Sequence, residues 1–429
     1  MRRVVLFTAI AVTVAVWSFR DSFQSWIIAQ GTLANDAPSA ELLDEYIRSA
    51  PDPNSAILAA WNSGKIVHRQ FAIRQLTEAR GDDQSLAFEL EGILLSGAMD
   101  PDLNVREAAF SGLRSRRHPG LVALAAAQLR DPDPQVRLLG LDYLKHAAAA
   151  AGVPVVVPLI DDLDLRVAGR AIKLLEHWSE QDFGMRLVDT VQVDNPQSGL
   201  KEFRAEGIVR TRAAAERAKE WWSRDEPGLP PTALEPPRSA WVGTGLSTVD
   251  FSLPTLEGRD VRLSDFRGRA VIINFWATWC LGCLGEIPAL VELQKRHGER
   301  LAILGVSLDA VPDSHGHSHG STHSGGAVSA DHADHGHDDH AEPALDAIRA
   351  KVARMAKKLG INYTVLLDER NTVGGRFNGG ELPTTLIVDG SGNICRRFVG
   401  ARDLATFEAM LTEVFDAIQP GQFRDRNTR

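Results

Sequence analysis

Cysteine is almost missing from this chain: only Cys280, Cys283 and Cys395 occur in 429 residues. So few exclude a fold held together by disulfides. They also argue against a structural zinc knuckle, because Cys280 and Cys283 have no second pair of thiolates to complete a tetrahedral site. Positive charge is not in excess either. Lys and Arg number 47 against 56 Asp and Glu, a formal net charge of −9, and basic clusters are short and scattered. Nucleic-acid binding therefore has no electrostatic footing. The apolar run Val4–Phe19 follows Met1-Arg-Arg3 and spans sixteen uncharged residues. As a helix it falls a little short of the ~30 Å hydrocarbon core of a bilayer. A basic start before such a run is the pattern of an export signal. Small residues do not follow it closely, and Ala29-Gln-Gly31 is a distant cut site, so an uncleaved anchor is the reading we take, with Trp17 and Trp26 at the interface. Arg2 and Arg3 then stay cytoplasmic and the rest of the chain lies outside.

The stretch around which the chain is organised is Ala270-Val-Ile-Ile-Asn-Phe-Trp-Ala-Thr-Trp-Cys280-Leu-Gly-Cys283-Leu-Gly-Glu286-Ile-Pro-Ala-Leu290. Ala270–Phe275 is short, apolar and rich in branched residues, the pattern of a central strand buried on both faces. Leu284, Ile287 and Leu290 then recur at helical spacing. Cys280 thus stands where strand gives way to helix, where unpaired N–H groups and the helix dipole favour a thiolate. A thiol there becomes the attacking nucleophile. Cys283, one turn on, is within disulfide reach, so the pair reads as a redox dithiol. A permanent disulfide closing so short a ring gains little from loop closure.

The run from Asp250-Phe-Ser-Leu-Pro-Thr-Leu-Glu-Gly258 through Leu263-Ser-Asp-Phe-Arg-Gly268 to Phe275-Trp-Ala-Thr-Trp-Cys280 resembles the TlpA/ResA branch of the thioredoxin superfamily, thiol-disulfide oxidoreductases of the bacterial cell envelope. The resemblance spans about residues 241–418. It implies that Glu286, three residues after the second cysteine, serves the active site. It also implies that Pro383 in Gly380-Glu-Leu-Pro-Thr-Thr is a cis-proline facing the dithiol. Trp279, Leu382 and Pro383 are then the residues expected to dock substrate. Leu281-Gly282 departs from that family, which usually carries Pro just before the second cysteine, and intervening residues help set the reduction potential.

Upstream, residues 36–225 turn to Ala, Leu, Arg and Asp with helical periodicity and an internal repeat. Asp100-Pro-Asp-Leu-Asn-Val-Arg106 returns as Asp131-Pro-Asp-Pro-Gln-Val-Arg137 and again as Asp162-Leu-Asp-Leu-Arg-Val167, each offset by 31. Val105/Ala109/Leu113, Val136/Gly140/Leu144 and Val167/Ala171/Leu175 keep the same four-residue ladder. Asp-Pro ends one helix and starts the next, giving antiparallel pairs with small residues where helices touch. The array resembles HEAT repeats, which stack into a solenoid. His68, His118, His146 and His177 read as surface or capped residues. Trp221-Trp222 closes the array before a proline-rich spacer over 226–240.

The fold class predicted is therefore multidomain: an N-terminal signal-anchor or export segment over 1–34, an all-α HEAT-like solenoid, and an α/β thioredoxin-like domain over 241–418, with a tail over 419–429. Within the last domain we expect strands at 270–275, 301–308, 363–367, 384–388 and 394–399, and helices beginning after Cys280, at 343–359 and at 403–418. Cys395 reads as a small core or edge residue. Between the second and third of those strands lies a Ser/Gly/Asp/His segment over 312–342 with His315, His317, His319, His323, His332, His335, His337 and His340. It cannot form a core, and its imidazoles and carboxylates suit Zn²⁺, Cu²⁺ or Ni²⁺.

The leading reading is an envelope-side enzyme that exchanges disulfides with protein substrates, with no required cofactor, electrons from a membrane donor and a protein partner for the repeats. Cys280 attacks, Cys283 resolves and Glu286 takes the Cys283 proton. A peroxiredoxin-like peroxidase shares the Phe251-Ser-Leu-Pro254 opening but places its cysteine in a Pro-x-x-x-Thr-x-x-Cys setting that Asn274–Cys280 lacks. A third reading is a copper or zinc chaperone or scaffold using the histidine segment.

Overall fold

The computed structural model describes residues 40–50, 52–78, 88–145, 149–194, 201–225, 248, 250–310 and 345–417. The signal-anchor, the proline-rich spacer, the histidine segment with its eight histidines, His146 and the C-terminal tail lie outside the described residues. Among the described residues no helix is long and apolar enough to cross a membrane.

The first part is a helical array: α1 Ala40–Ser49, α2 Pro53–Asn62, α3 Ile66–Glu78, α4 Phe88–Gly97, α5 Leu103–Ser115, α6 Leu121–Gln128, α7 Pro134–Leu144, α8 Ala149–Val156, α9 Leu165–Ser179 and α10 Ala205–Asp225. The repeated aspartates start helices as the sequence predicts. Asp102, Asp133 and Asp164 are the N-caps of α5, α7 and α9, and each side chain accepts from N–H groups of the first turn. The ladder residues face inward: Val105, Ala109, Leu113, Val167, Ala171 and Leu175 are fully buried. At Gly140 the helices come so close that a Cβ would stand 2.7 Å from the Ala125 carbonyl oxygen. Helix α5 packs on α3 and α4, α7 on α6, and α9 on α7, α8 and α10. Trp221 and Trp222 pack on this core, with Trp221 5.7 Å from the Phe183 ring.

The helix-rich first part carries one added detail and one correction. The array is not purely helical, because β1 Gln192–Asp194 and β2 Lys201–Phe203 form an antiparallel pair before α10. The polar composition of both segments hides them from a search for apolar alternation. His68 is not a surface residue but fully buried, with Nδ1 3.0 Å from Ser63 Oγ. His118 is capped, 2.7 Å from Glu91, and His177 is exposed.

The second part opens with an antiparallel pair, β3 Ser252–Pro254 and β4 Asp260–Arg262. A five-stranded sheet follows, built of β5 Ala270–Trp276, β6 Leu301–Ser307, β7 Thr364–Leu367, β8 Thr384–Val388 and β9 Ile394–Val399 in the order β7-β6-β5-β8-β9. Strands β5, β6 and β7 run parallel, while β8 and β9 are antiparallel additions. Helices α11 Leu281–His297, α12 Leu345–Lys358, α13 Thr372–Arg376 and α14 Leu404–Ala417 complete it. β5 is buried throughout. Val271, Ile273 and Phe275 pack on one face of the sheet, and Ala270 and Ile272 pack with Leu290 of α11 and Phe407 of α14 on the other. The predicted elements match these to within a residue or two.

The two parts meet along β9, the edge strand beside β8. Arg397 N–H donates to the Pro101 carbonyl at 2.9 Å, so an Asp-Pro-Asp loop of the array covers the free edge.

Candidate active site

Buried β5 delivers the chain to Trp279-Cys280 at the end of the sheet, and α11 begins at Leu281. Cys280 is the N-cap of α11, and its Sγ accepts from Cys283 N–H at 3.1 Å. An N-terminal helix end stabilises negative charge at that sulfur. Cys280 and Cys283 are joined as a disulfide, so the structure is the oxidised form. Both cysteines are buried, but Trp279 and Leu281 beside them are 53% and 82% exposed. An apolar rim thus surrounds a sulfur reached only by close approach.

The turn before Cys280 is fixed from below. Asp309, past the end of β6, accepts from Thr278 N–H at 2.9 Å and from the Thr278 hydroxyl, from Ser307 Oγ at 2.9 Å and from Lys351 Nζ at 3.2 Å.

Leu382-Pro383 is a cis peptide, as expected, and lies against the dithiol turn: a Cβ on Gly282 would stand 3.5 Å from Pro383 Cδ. Pro383 is buried, Leu382 is half-buried, and the Pro383 carbonyl accepts from Gly400 N–H at 2.8 Å.

Glu286 lies one turn beyond Cys283 on α11 and is 1% exposed. Its Oε1 accepts from Asn274 Nδ2 at 2.8 Å and its Oε2 from the Arg402 main-chain N–H at 2.9 Å. Burial pushes its carboxyl up to about 7, while the Arg402 amide and charge, Asn274 and Thr385 pull the other way. A carboxyl poised there takes or gives a proton near neutral pH. Cys395 has a different character: burial pushes its thiol up to about 12, which suits an inert core cysteine.

Sequence reasoning missed Asn274, Arg402 and the tie from Arg402 to Asp133. Asn274 carried a signal, a lone amide inside an otherwise apolar strand. Arg402 carried none, because its main chain rather than its side chain touches Glu286. Among the described residues no group of three or more His, Cys, Asp or Glu is placed to hold a metal ion.

Residues 244–397 match the AhpC/TSA family. The chain is 28% identical over 173 residues to the thiol-disulfide oxidoreductase ResA of Geobacillus kaustophilus (strain HTA426), covering 40% of this chain and 79% of that protein. It is 29% identical over 170 residues to the thioredoxin-like protein YneN of Bacillus subtilis (strain 168), with 40% and 79% covered. A solved thiol:disulfide interchange protein of the thioredoxin family from Chlorobium tepidum TLS aligns at 24% identity and a TM-score of 0.28, over 39% of this chain and 94% of that one. The C-terminal part of this chain is thus similar to the AhpC/TSA family and to ResA-type thiol-disulfide oxidoreductases, and it carries a CxxC pair on a thioredoxin-like fold behind a helix-rich N-terminal part.

Proposed function

We propose that the protein is a membrane-anchored, envelope-side oxidoreductase that reduces disulfides of exported proteins through Cys280 and Cys283. The observation that carries this reading is Cys280 Sγ at the N-terminus of α11, with Cys283 behind it and buried Glu286 one turn further on. In the reduced enzyme the Cys280 thiolate attacks a substrate disulfide. One sulfur leaves as a thiolate, and the other is bonded to Cys280. Cys283 gives its proton to Glu286 and its thiolate attacks Cys280 Sγ, which releases the second substrate thiolate. The substrate gains two electrons, its two thiolates take one proton back from Glu286 and one from water, and the enzyme is left with the disulfide seen here. A membrane-bound dithiol donor then restores it. Trp279, Leu281, Leu382 and Pro383 form the apolar rim on which an extended substrate segment docks. The basic start and apolar run at residues 1–19 support an envelope location, and residues 312–342 carry a peripheral site for divalent zinc, copper or nickel.

Cys283→Ala should trap mixed disulfides with substrate on Cys280, and Cys280→Ala should abolish reduction of an insulin-type substrate. Normal turnover by the Cys280 variant, or turnover of hydrogen peroxide in preference to disulfides, would overturn this reading.

A further inference from the structure

Two consecutive repeats of the helical array present the same loop to the redox domain. From the first loop, Asp102 pairs with Arg397 Nη1 at 3.0 Å. From the second, Asp131 pairs with Arg396 at 2.9 Å, and Asp133 receives Arg402 through Nε at 3.1 Å and Nη2 at 3.0 Å. All six side chains are buried. Gln70 bridges the same seam, accepting from Asn378 and donating to Asp102. The 31-residue period thus delivers carboxylates in step along β9 and the turn that follows it.

The pair at Arg402 differs from the others in what lies behind it. Arg402 Nη1 also donates to the carbonyls of Val399, Gly400 and Ala401, so the guanidinium wraps the turn on which it stands. That turn reaches the redox site twice. Arg402 N–H holds Glu286, and Gly400 N–H holds the Pro383 carbonyl. Asp133 is the outer end of this chain of contacts. It touches no reacting atom, but it fixes the group that fixes both the buried carboxyl and the proline of the docking rim.

We propose that Asp133, a residue of the helical array, is a positioning residue for the dithiol chemistry: it holds Arg402 so that the main-chain amide of that residue stays on Glu286. This deepens the oxidoreductase reading and rests on it. It assigns the array a part in catalysis, as the outer shell of the active site. The groups facing Glu286 are Cys283 on its own helix, Asn274 from β5, Thr385 from β8, Arg402 from the β9–α14 turn, and the Tyr363 phenol ahead of β7. Among the described residues Asp133 reaches Glu286 through Arg402.

The test uses the reduced full-length chain with Cys280 capped as a mixed disulfide with thionitrobenzoate, whose coloured thiolate is released when Cys283 attacks. Release by the wild type should quicken as pH rises through the Glu286 titration. Asp133→Asn removes the charge but keeps a good N-cap for α7. Loss of the Arg402 amide removes a hydrogen bond to the charged form of Glu286, so the inflection should move up by about half a unit or more. Asp133→Glu should return it toward the wild-type position. A role of charge alone would move the inflection down, because Arg402 would no longer be neutralised, and a role in stability alone would leave it in place. Either result overturns the proposal. Asp102→Asn breaks a similar buried pair without touching the turn that holds Glu286 and should leave the inflection unmoved. An equal upward shift there would mean general loosening and would also overturn it. Asp133→Ser, another good cap, serves if the asparagine variant does not fold. Failure of the wild type itself to release thionitrobenzoate would instead overturn the oxidoreductase reading.

Discussion

Asp131 and Arg396 are separated by 265 positions in the chain, yet their side chains meet at 2.9 Å with both residues buried. The carboxylate is shared: Arg106 of α5 approaches it at 3.5 Å, and Arg396 also reaches Glu413 of α14 at 2.6 Å. Burial holds the Arg106 guanidinium down at about 10, which the Asp131 charge opposes. Asp131 is thus the anion between two desolvated cations from different parts of the fold.

Removing that anion should cost more than removing either cation. Asp131→Asn leaves two buried guanidiniums facing a neutral amide, and breaking such a pair costs about 3–5 kcal/mol. Arg396→Met leaves Asp131 still paired with Arg106, so its cost should be the smaller of the two. Urea unfolding of both full-length variants checks the order. Equal losses would mean that Arg106 does not share the carboxylate.

Glu286 sets a pH dependence of stability whose sign is fixed by its raised carboxyl. The folded oxidised protein keeps the proton up to about 7, whereas the unfolded chain releases it near 4.5. The folded state therefore binds more protons between those values. The contribution is fully present below about 4.5 and is lost as pH rises through 7. Over that window the wild type should lose on the order of 3 kcal/mol relative to Glu286→Gln, whose amide does not titrate. Comparing the two slopes cancels other groups that titrate in both proteins, Asp100 among them, which burial pushes up to about 6. Parallel slopes would mean that Glu286 does not carry a proton in the folded state near neutrality.

Much of the redox domain is legible in the sequence because its signals are local. The apolar run at Ala270–Phe275, the cap at Cys280 and the turn Asp389–Gly392 each act within a few residues. The repeat register was equally plain, since Asp102, Asp133 and Asp164 cap their helices where the period places them. The second task of the same aspartates was hidden. An N-cap aspartate uses its oxygens on the first helical turn, and nothing in Asp-Pro-Asp says that Asp102 and Asp133 also meet arginines 295 and 269 residues later. Arg396-Arg397 in an otherwise apolar strand was the available sign that something acidic must cover that edge.

The histidine segment is expected to be separable from the dithiol chemistry. It connects Ala310 to Leu345, and the elements on either side are held without it: Asp309 pairs with Lys351 of α12 at 3.2 Å, and Arg349 pairs with Glu369 at 2.7 Å. β6 is paired with β5 on one side and β7 on the other, so its place is set by the sheet. Deleting residues 313–340 removes eight histidines and should leave disulfide reduction within about twofold of the wild type. The same deletion should abolish micromolar or weaker binding of Zn²⁺ and Cu²⁺ by calorimetry. In the intact chain that binding should fade as pH falls through ~6.5, because protonated imidazoles cease to be ligands. Loss of reductase activity on deletion, measured in metal-free buffer, would instead make the segment part of the catalytic apparatus. Asp309 would then be the first residue to test, since its carboxylate joins the start of that segment to the Thr278 turn before Cys280.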